Sequence, residues 1–390
     1  MRIFIFCLVL LQNSCLSPSD DKVKDKLLCG ADRTELYFEG LFARNFAIVA
    51  NQSSEINGIH LVDSLISSGL IPSKIFTPEH GFRGDAEAGA TINNSIDKSS
   101  SIEIISLYGR NKKPSAEDLK DVEILVFDLQ DVGVRFYTYI STLHYVMEAC
   151  AENDVELIVL DRPNPNGDII DGPTLEKEYS SFVGMHPIPV LHGMTIGEYA
   201  RMILGENWLN GGMNCKLTVV PSKNYSHNDK YAPPVKPSPN LPNYQSIRLY
   251  PSLCFFESTV VSIGRGTDFP FQVYGHPDFD TAIFNFTPET KPGASENPKH
   301  KGLLCGGIDL RNEKVEPEAF DRLNLKWLIQ AYADYSNKEA FFTSNFERLA
   351  GTKNLQFQIE SGLSEEKIRQ SWESDLEKFK TIREKYLIYH

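Results

Sequence analysis

An α/β chain built on a mostly parallel, helix-covered sheet follows from three observations. Short apolar runs recur at βαβ spacing, helical patterns lie between them, and charged clusters stand directly after the runs. The runs are residues 46–50, 75–76, 102–107, 122–127 and 157–160. Each is short and rich in β-branched, leucine or aromatic residues, which suits buried strands rather than helices.

The elements follow in chain order. Residues 1–14 carry one positive charge, a short apolar core and a polar end before Cys15, the pattern of an export signal. The apolar core is far shorter than the roughly twenty residues that span a bilayer. Ser14-Cys15 followed by a polar tether over 15–30 resembles a bacterial lipoprotein signal with Cys15 as the lipidated residue, although Gln12 replaces the usual small aliphatic. An exported protein, periplasmic or held at a membrane by that lipid, is the expectation.

Helices are predicted over 60–68, over 115–120 behind a Ser-x-x-Asp signature, over 141–153, and from the Thr195-x-x-Glu198 capping box to about Glu206. Gly211-Gly212 breaks the pattern, which places a boundary between a Rossmann-like domain at 31–210 and a second domain at 211–390. The proline-rich stretch 233–243 lacks the donors for helix or sheet and is expected to lie extended along a surface or cleft. Two further helices are predicted over 317–335 and 365–387. Cys29, Cys150, Cys215, Cys254 and Cys305 show no CxxC spacing and read mostly as small buried apolar residues, the alternative being a disulfide whose pairing the sequence does not assign.

Composition excludes several classes. Lys and Arg total 39 against 52 Asp and Glu, and a net charge of −13 lacks the basic excess that neutralises phosphates, so nucleic acid is not an expected partner. No G-x-G-x-x-G follows the first strand and no G-x-x-x-x-G-K-[ST] occurs, so no nucleotide cofactor is expected. His80, His186 and His192 have no metal-binding spacing, and Asp128 with Asp131 is not a calcium loop, so no catalytic metal is expected.

Chemistry concentrates after the strands. In Phe76-Thr77-Pro78-Glu79-His80-Gly81-Phe82-Arg83-Gly84 a carboxylate, an imidazole and a guanidinium leave a strand, with Pro78 stopping the ladder and glycines permitting a turn. Asp128-Leu129-Gln130-Asp131 with Arg135, and Asp161-Arg162-Pro163-Asn164, stand at the ends of the next strands. In an open parallel sheet these groups share one crevice, where paired carboxylates suit acid-base work. The alternative for Asp131–Arg135 and Asp161–Arg162 is salt bridges that orient loops. Further on come Glu257 and the glycine-flanked Arg265, a carboxylate and a guanidinium able to meet an anion. Tyr137, Tyr139, Phe255, Phe269 and Tyr274 offer faces on which a sugar ring packs.

The run from Pro78 to Gly84, the run Asp128-Leu129-Gln130-Asp131-Val132-Gly133-Val134-Arg135-Phe136-Tyr137-Thr138-Tyr139, then Asp161-Arg162-Pro163-Asn164-Pro165, His192-Gly193-Met194-Thr195, Pro237-Ser238-Pro239-Asn240 and Gly264-Arg265-Gly266-Thr267 together resemble the bacterial exo-β-N-acetylmuramidase family over about residues 40–390. The resemblance implies a Rossmann-like domain followed by a smaller α/β domain, an active site in the cleft between them, and removal of N-acetylmuramic acid from non-reducing ends of peptidoglycan fragments. It implies Glu79 as the catalytic glutamate; the chemistry then expected is glycoside hydrolysis with Glu79 as general acid and Asp128 or Glu257 as base or nucleophile. His80, Arg83, Gln130, Arg135, Tyr137, Arg162, Asn164, His192, Asn240 and Arg265 are the expected binding or supporting residues, and Arg135, Arg162 or Arg265 would take the lactyl carboxylate. Ser258 departs from the expected glycine after Glu257. The rival expectation is a non-catalytic surface lipoprotein that captures peptidoglycan fragments or other anionic sugars.

Overall fold

The computed structural model describes residues 25–79, 81–82, 94–311 and 321–389. Cys15, His80 and Arg83 therefore lie outside the described residues, as does the leader.

Among the described residues seven strands form the main sheet: β1 (Phe46–Ala50), β2 (Lys74–Thr77), β3 (Ser95–Ile96), β4 (Glu103–Ser106), β5 (Ile124–Asp128), β6 (Glu156–Leu160) and β7 (Leu217–Val220). Their order is β7-β6-β5-β1-β2-β4-β3, with every neighbouring pair parallel except β3 against β4. Leaving out the antiparallel edge β3, the six parallel strands stand in the doubly wound order, whose reversal falls between β1 and β5. The chain is thus α/β with a mostly parallel sheet. Alternate residues serve opposite faces, as strand geometry requires. Ile48, Ile75, Val126 and Ile158 pack with Leu61 and Leu65 of helix α1 (Leu61–Ser67) on one side. Val49, Phe76, Phe127 and Val159 pack on the other side with α2 (Tyr139–Glu152) and α3 (Ile196–Gly205).

Helix α3 starts where the capping box puts it, with Thr195 and Glu198 each bonding the other's backbone N–H. Ser115 and Asp118 also bond each other, but residues 116–121 form only a turn: Asp121 at φ 64° turns the chain away before a second helical turn can form.

Gly211 and Gly212 end the loop after α3 rather than a domain, because β7 follows them and pairs with β6. Beyond lie α4 (Tyr244–Leu253) and a small antiparallel sheet, β8 (Val273–His276), β9 (Asn285–Phe286) and β10 (Cys305–Asp309), in the order β8-β10-β9. Among the described residues five α-helices close the chain: α5 (Lys326–Asp334), α6 (Phe346–Ala350), α7 (Asn354–Glu360), α8 (Glu365–Gln370) and α9 (Glu373–Arg383). The helix predicted over 317–335 begins only at Lys326 among the described residues, and that over 365–387 breaks at Ser371-Trp372, where the indole is buried. One apolar core runs unbroken from the main sheet through α2 and α4 to the terminal helices. All five described cysteines are free and buried.

Candidate active site

A cavity of about 450 Å³ is lined by Glu79 after β2, by Tyr137, Thr138 and Tyr139 at the start of α2, by Ser238 and Leu241 of the proline-rich stretch, and by Glu257, Arg265 and Phe271 of the C-terminal half. Its size falls within the roughly 300–1,000 Å³ of small-molecule sites.

Glu79 stands on a tight turn. Pro78 cannot continue the β2 ladder, the Gly81 N–H bonds the Pro78 carbonyl at 3.2 Å, and Gly81 takes φ 77°. Phe82, buried, packs edge-on against the His60 ring at 4.7 Å and fixes the far side of the turn. The Thr138 hydroxyl donates to Glu79 Oε2 at a long 3.5 Å.

Glu257 arrives from the other direction, on a 3-10 stretch (Cys254–Ser258) that continues α4. Arg265 Nε and Nη2 reach its Oε1 at 2.7 and 2.6 Å, while the Cys254 thiol donates to Oε2 at 3.8 Å. Burial works against the Arg265 charge, but the Glu257 carboxylate outweighs it and holds the guanidinium above its ordinary pKa. The guanidinium also lies over the Phe271 ring, 5.0 Å from its centroid. Lys299 Nζ donates to the carbonyls of Phe256, Thr259 and Val261, tying down the turn behind Glu257; burial pushes its pKa down to about 8. Ser258 needs no positive φ, so the expected glycine is dispensable.

The tyrosines form the floor. Tyr137 OH donates to the Pro237 carbonyl at 2.9 Å, Tyr139 OH reaches the same oxygen at 3.4 Å, and Asn51 Nδ2 donates to Tyr139 OH at 2.8 Å. The proline-rich stretch thus lies along the cleft, pinned by side chains from the first half, but it is not extended throughout: it bends at 234–235 and turns back between Ser238 and Leu241, where the Leu241 N–H bonds the Ser238 carbonyl at 3.0 Å. Asn240, buried, donates to the Ala294 carbonyl at 2.8 Å and so braces the cavity wall without lining it.

The structure brings together Glu79, Tyr137, Glu257 and Arg265, and separates them from the other predicted residues that it describes. Asp128 is fully buried, with its two oxygens bonded by Arg162 Nε at 2.5 Å and Nη2 at 2.8 Å, so neither residue lines the cavity. Arg162 pairs with Asp128 because Asp161 is engaged elsewhere, by Thr195 Oγ1, the Gly197 N–H and Tyr389 OH at 2.7, 2.8 and 2.6 Å. This Asp128–Arg162 pair, with Asn51 and Tyr139, fills the switch-point crevice between β1 and β5 where doubly wound folds hold their ligands.

Arg135, fully buried, does not meet Asp131. Its two Nη atoms donate to the carbonyls of Pro173, Ile188, Leu349 and Ala350 at 2.7, 2.9, 3.2 and 2.6 Å, locking α6 to the first half. Gln130 donates to the Asp131 and Pro163 carbonyls, and Asn164 to that of Met194. His192 Nε2 stands 3.9 Å from Asp131 Oδ2 in the interior; burial drives His192 down to about 3 and Asp131 up to about 7. These are framework residues. Sequence reasoning missed Thr138, Tyr250, Ser295 and Asn297 of the lining and Lys299 behind it. Thr138 sits between two residues of a quoted motif; Lys299 carries no local signal. Among the described residues no group of three or more His, Cys, Asp or Glu could hold a metal ion.

A cavity of saccharide size with two carboxylates on separate elements and aromatic walls fits the class of glycoside hydrolases. The comparisons agree and narrow the class. The N-terminal profile of the family described as exo-beta-N-acetylmuramidase NamZ matches residues 46–245 and its C-terminal profile residues 248–389. The peptidoglycan beta-N-acetylmuramidase NamZ of Bacillus subtilis is 43% identical over 333 residues, 81% of this chain and 79% of that protein. A crystal structure of a DUF1343 family protein from Bacteroides fragilis superposes with a TM-score of 0.87 at 44% identity, covering 94% of this chain and 99% of that one. A second from the same organism gives 0.79 at 28% identity, with 93% and 99% covered. The chain belongs to the exo-β-N-acetylmuramidase NamZ family.

Proposed function

We propose that this enzyme releases N-acetylmuramic acid from the non-reducing ends of peptidoglycan fragments, with Glu79 as general acid and Glu257 as the second carboxylate. The observation that carries this reading is the convergence of Glu79 and Glu257 on one cavity, while Asp128 is sealed against Arg162. Glu79 protonates the leaving glycosidic oxygen, and Glu257 acts as base or nucleophile on the opposite side. Arg265 orients Glu257 through Nε and Nη2. Its third nitrogen, Nη1, has donors left for the lactyl carboxylate that distinguishes muramic acid from N-acetylglucosamine. Arg135 and Arg162 are spent on the framework.

The test is release of free N-acetylmuramic acid from a muramyl-terminated glycan and from the same glycan capped with N-acetylglucosamine. Wild type releases it from the uncapped end alone, Glu79→Gln and Glu257→Gln lose at least a thousandfold in kcat, and EDTA changes nothing. Binding of both glycans without release overturns the reading in favour of a capture protein. We further propose export with a lipid on Cys15: palmitate labelling of the full-length chain in its host is expected, and labelling that survives Cys15→Ala would refute it.

A further inference from the structure

Beside the cavity that holds the two carboxylates lies a second one, also of about 450 Å³, and Phe182, Val183 and Glu257 line both. The partition is rigid: Ser181 and Gly184 exchange backbone hydrogen bonds of 2.8 and 3.0 Å and hold Phe182-Val183 at the tip of a tight turn. The Phe182 ring stacks on Tyr145 at 6.1 Å with 14° between the planes.

The charge of this second cavity is unlike that of the chain. In a protein of net charge −13, Lys112 and Arg348 both line it, and neither has a carboxylate partner among the described residues. Lys112 Nζ lies 4.3 Å from the centroid of the Phe182 ring, and Arg348 projects from α6 in an exposed position. Glu257, the carboxylate in the lining, is spoken for by Arg265. Ser181 Oγ, buried and also lining the cavity, has no hydrogen-bond partner among the described residues, which marks it as a donor awaiting an acceptor. Two unpaired cations, an orphan hydroxyl and an aromatic face form a receptor for a carboxylate-bearing saccharide.

We infer that this second cavity is the subsite for the reducing-side part of the substrate, and that Lys112 and Arg348 bind a carboxylate carried by the next muramyl unit. The inference rests on the muramidase reading: a terminal sugar fills the first cavity, the scissile bond lies at the carboxylates, and the rest of the glycan leaves past Glu257 into the second. The N-acetylglucosamine that follows the scissile bond is neutral. The muramyl unit after it carries an anion, on its lactyl group when the peptide is absent or on the stem peptide when it is present.

Three substrates separate these sources: muramyl-N-acetylglucosamine with a neutral methyl aglycone, the muramyl-N-acetylglucosaminyl-muramic acid trisaccharide, and that trisaccharide with its lactyl group capped by a stem peptide. Wild type is expected to favour an acidic substrate over the neutral one by about tenfold in kcat/KM at low salt, with the preference shrinking as salt screens the two cations. The acidic substrate that carries the preference identifies the carboxylate as lactyl or peptidic. In Lys112→Ala/Arg348→Ala the ratio falls close to one, and in Lys112→Glu/Arg348→Glu it inverts. An equal kcat/KM for all three substrates in wild type, or a ratio unmoved in the double variant, overturns the inference and leaves the muramidase reading intact. No release from any of the three overturns both.

Discussion

Replacing Asp128 by Asn separates a framework carboxylate from a catalytic one. Asp128 ends β5 with no exposed surface, and its partner Arg162 is nearly as buried, donating also to the Glu55 carbonyl at 3.1 Å. Removing one partner strands a guanidinium in the interior, which costs about 3–5 kcal/mol. At about 2.1 cal/mol/K of unfolding entropy per residue, 390 residues give roughly 0.8 kcal/mol/K, so the melting temperature falls by about 4–6 °C. Circular-dichroism melts and kcat at 25 °C read the two effects separately. Asp128→Asn is expected to lose those degrees and keep kcat within about threefold, since no atom of it reaches the cavity. Glu257→Gln should do the reverse. Replacing both partners by apolar residues, Asp128→Leu with Arg162→Met, should recover much of the lost stability. A kcat collapse of a thousandfold in Asp128→Asn, with an unchanged melt, would refute the assignment and restore Asp128 as the second carboxylate.

Lys299→Met should lower kcat by about tenfold or more at nearly constant KM, because it loosens the turn behind Glu257 without touching substrate. The wild-type activity should also decline as pH rises through about 8, where Lys299 loses its proton, and that limb should vanish in the variant. Stability runs the other way there: between pH 8 and 10.5 the unfolded chain holds a proton the native chain has lost, so this group adds stability as pH rises. Asp131, raised from 3.8 to about 7 by burial, contributes stability that is fully present below pH 3.8 and lost as pH rises through 7, by at most about 4 kcal/mol. Asp131→Asn should therefore gain on wild type in urea melts between pH 4 and 8; a constant difference would refute it. Arg135→Ala strips donors from four carbonyls and should cost about 3–5 kcal/mol in urea, with Arg135→Lys recovering less than half because an ammonium cannot span them.

The main sheet was legible because strands covered on both faces read as continuous apolar runs, and five of its seven strands announced themselves in that way. The small sheet was not. Gly275, Gly306 and Gly307 sit where a Cβ would come within 2.3 Å or less of a facing carbonyl oxygen, so packing demands the residue that weakens a strand signal. Of the residues that line the cavity, Glu79, Tyr137, Glu257 and Arg265 are ones the sequence had singled out. Asp128, Arg135 and Arg162 were misplaced because a carboxylate or guanidinium at a strand end has the same letter whether it faces a cavity or a buried partner. Only the three-dimensional count of partners tells them apart. The boundary at Gly211-Gly212 failed to anticipate β7 for a similar reason: glycines punctuate loops within a domain as well as between domains.

The core shared by the two halves sets how the cleft can work. Phe136 meets Tyr250 and Phe255 with ring centroids 5.6 and 5.8 Å apart, and Phe136 and Tyr250 themselves line the cavity. Swinging one half away from the other would wet these rings and tear Arg135 from Leu349 and Ala350, so the jaws are cast in one piece. On the proposed reading, the muramyl end of a glycan then enters a cavity whose walls are already in place. Selection among substrates then rests on a shape that is present before any substrate arrives and independent of closure.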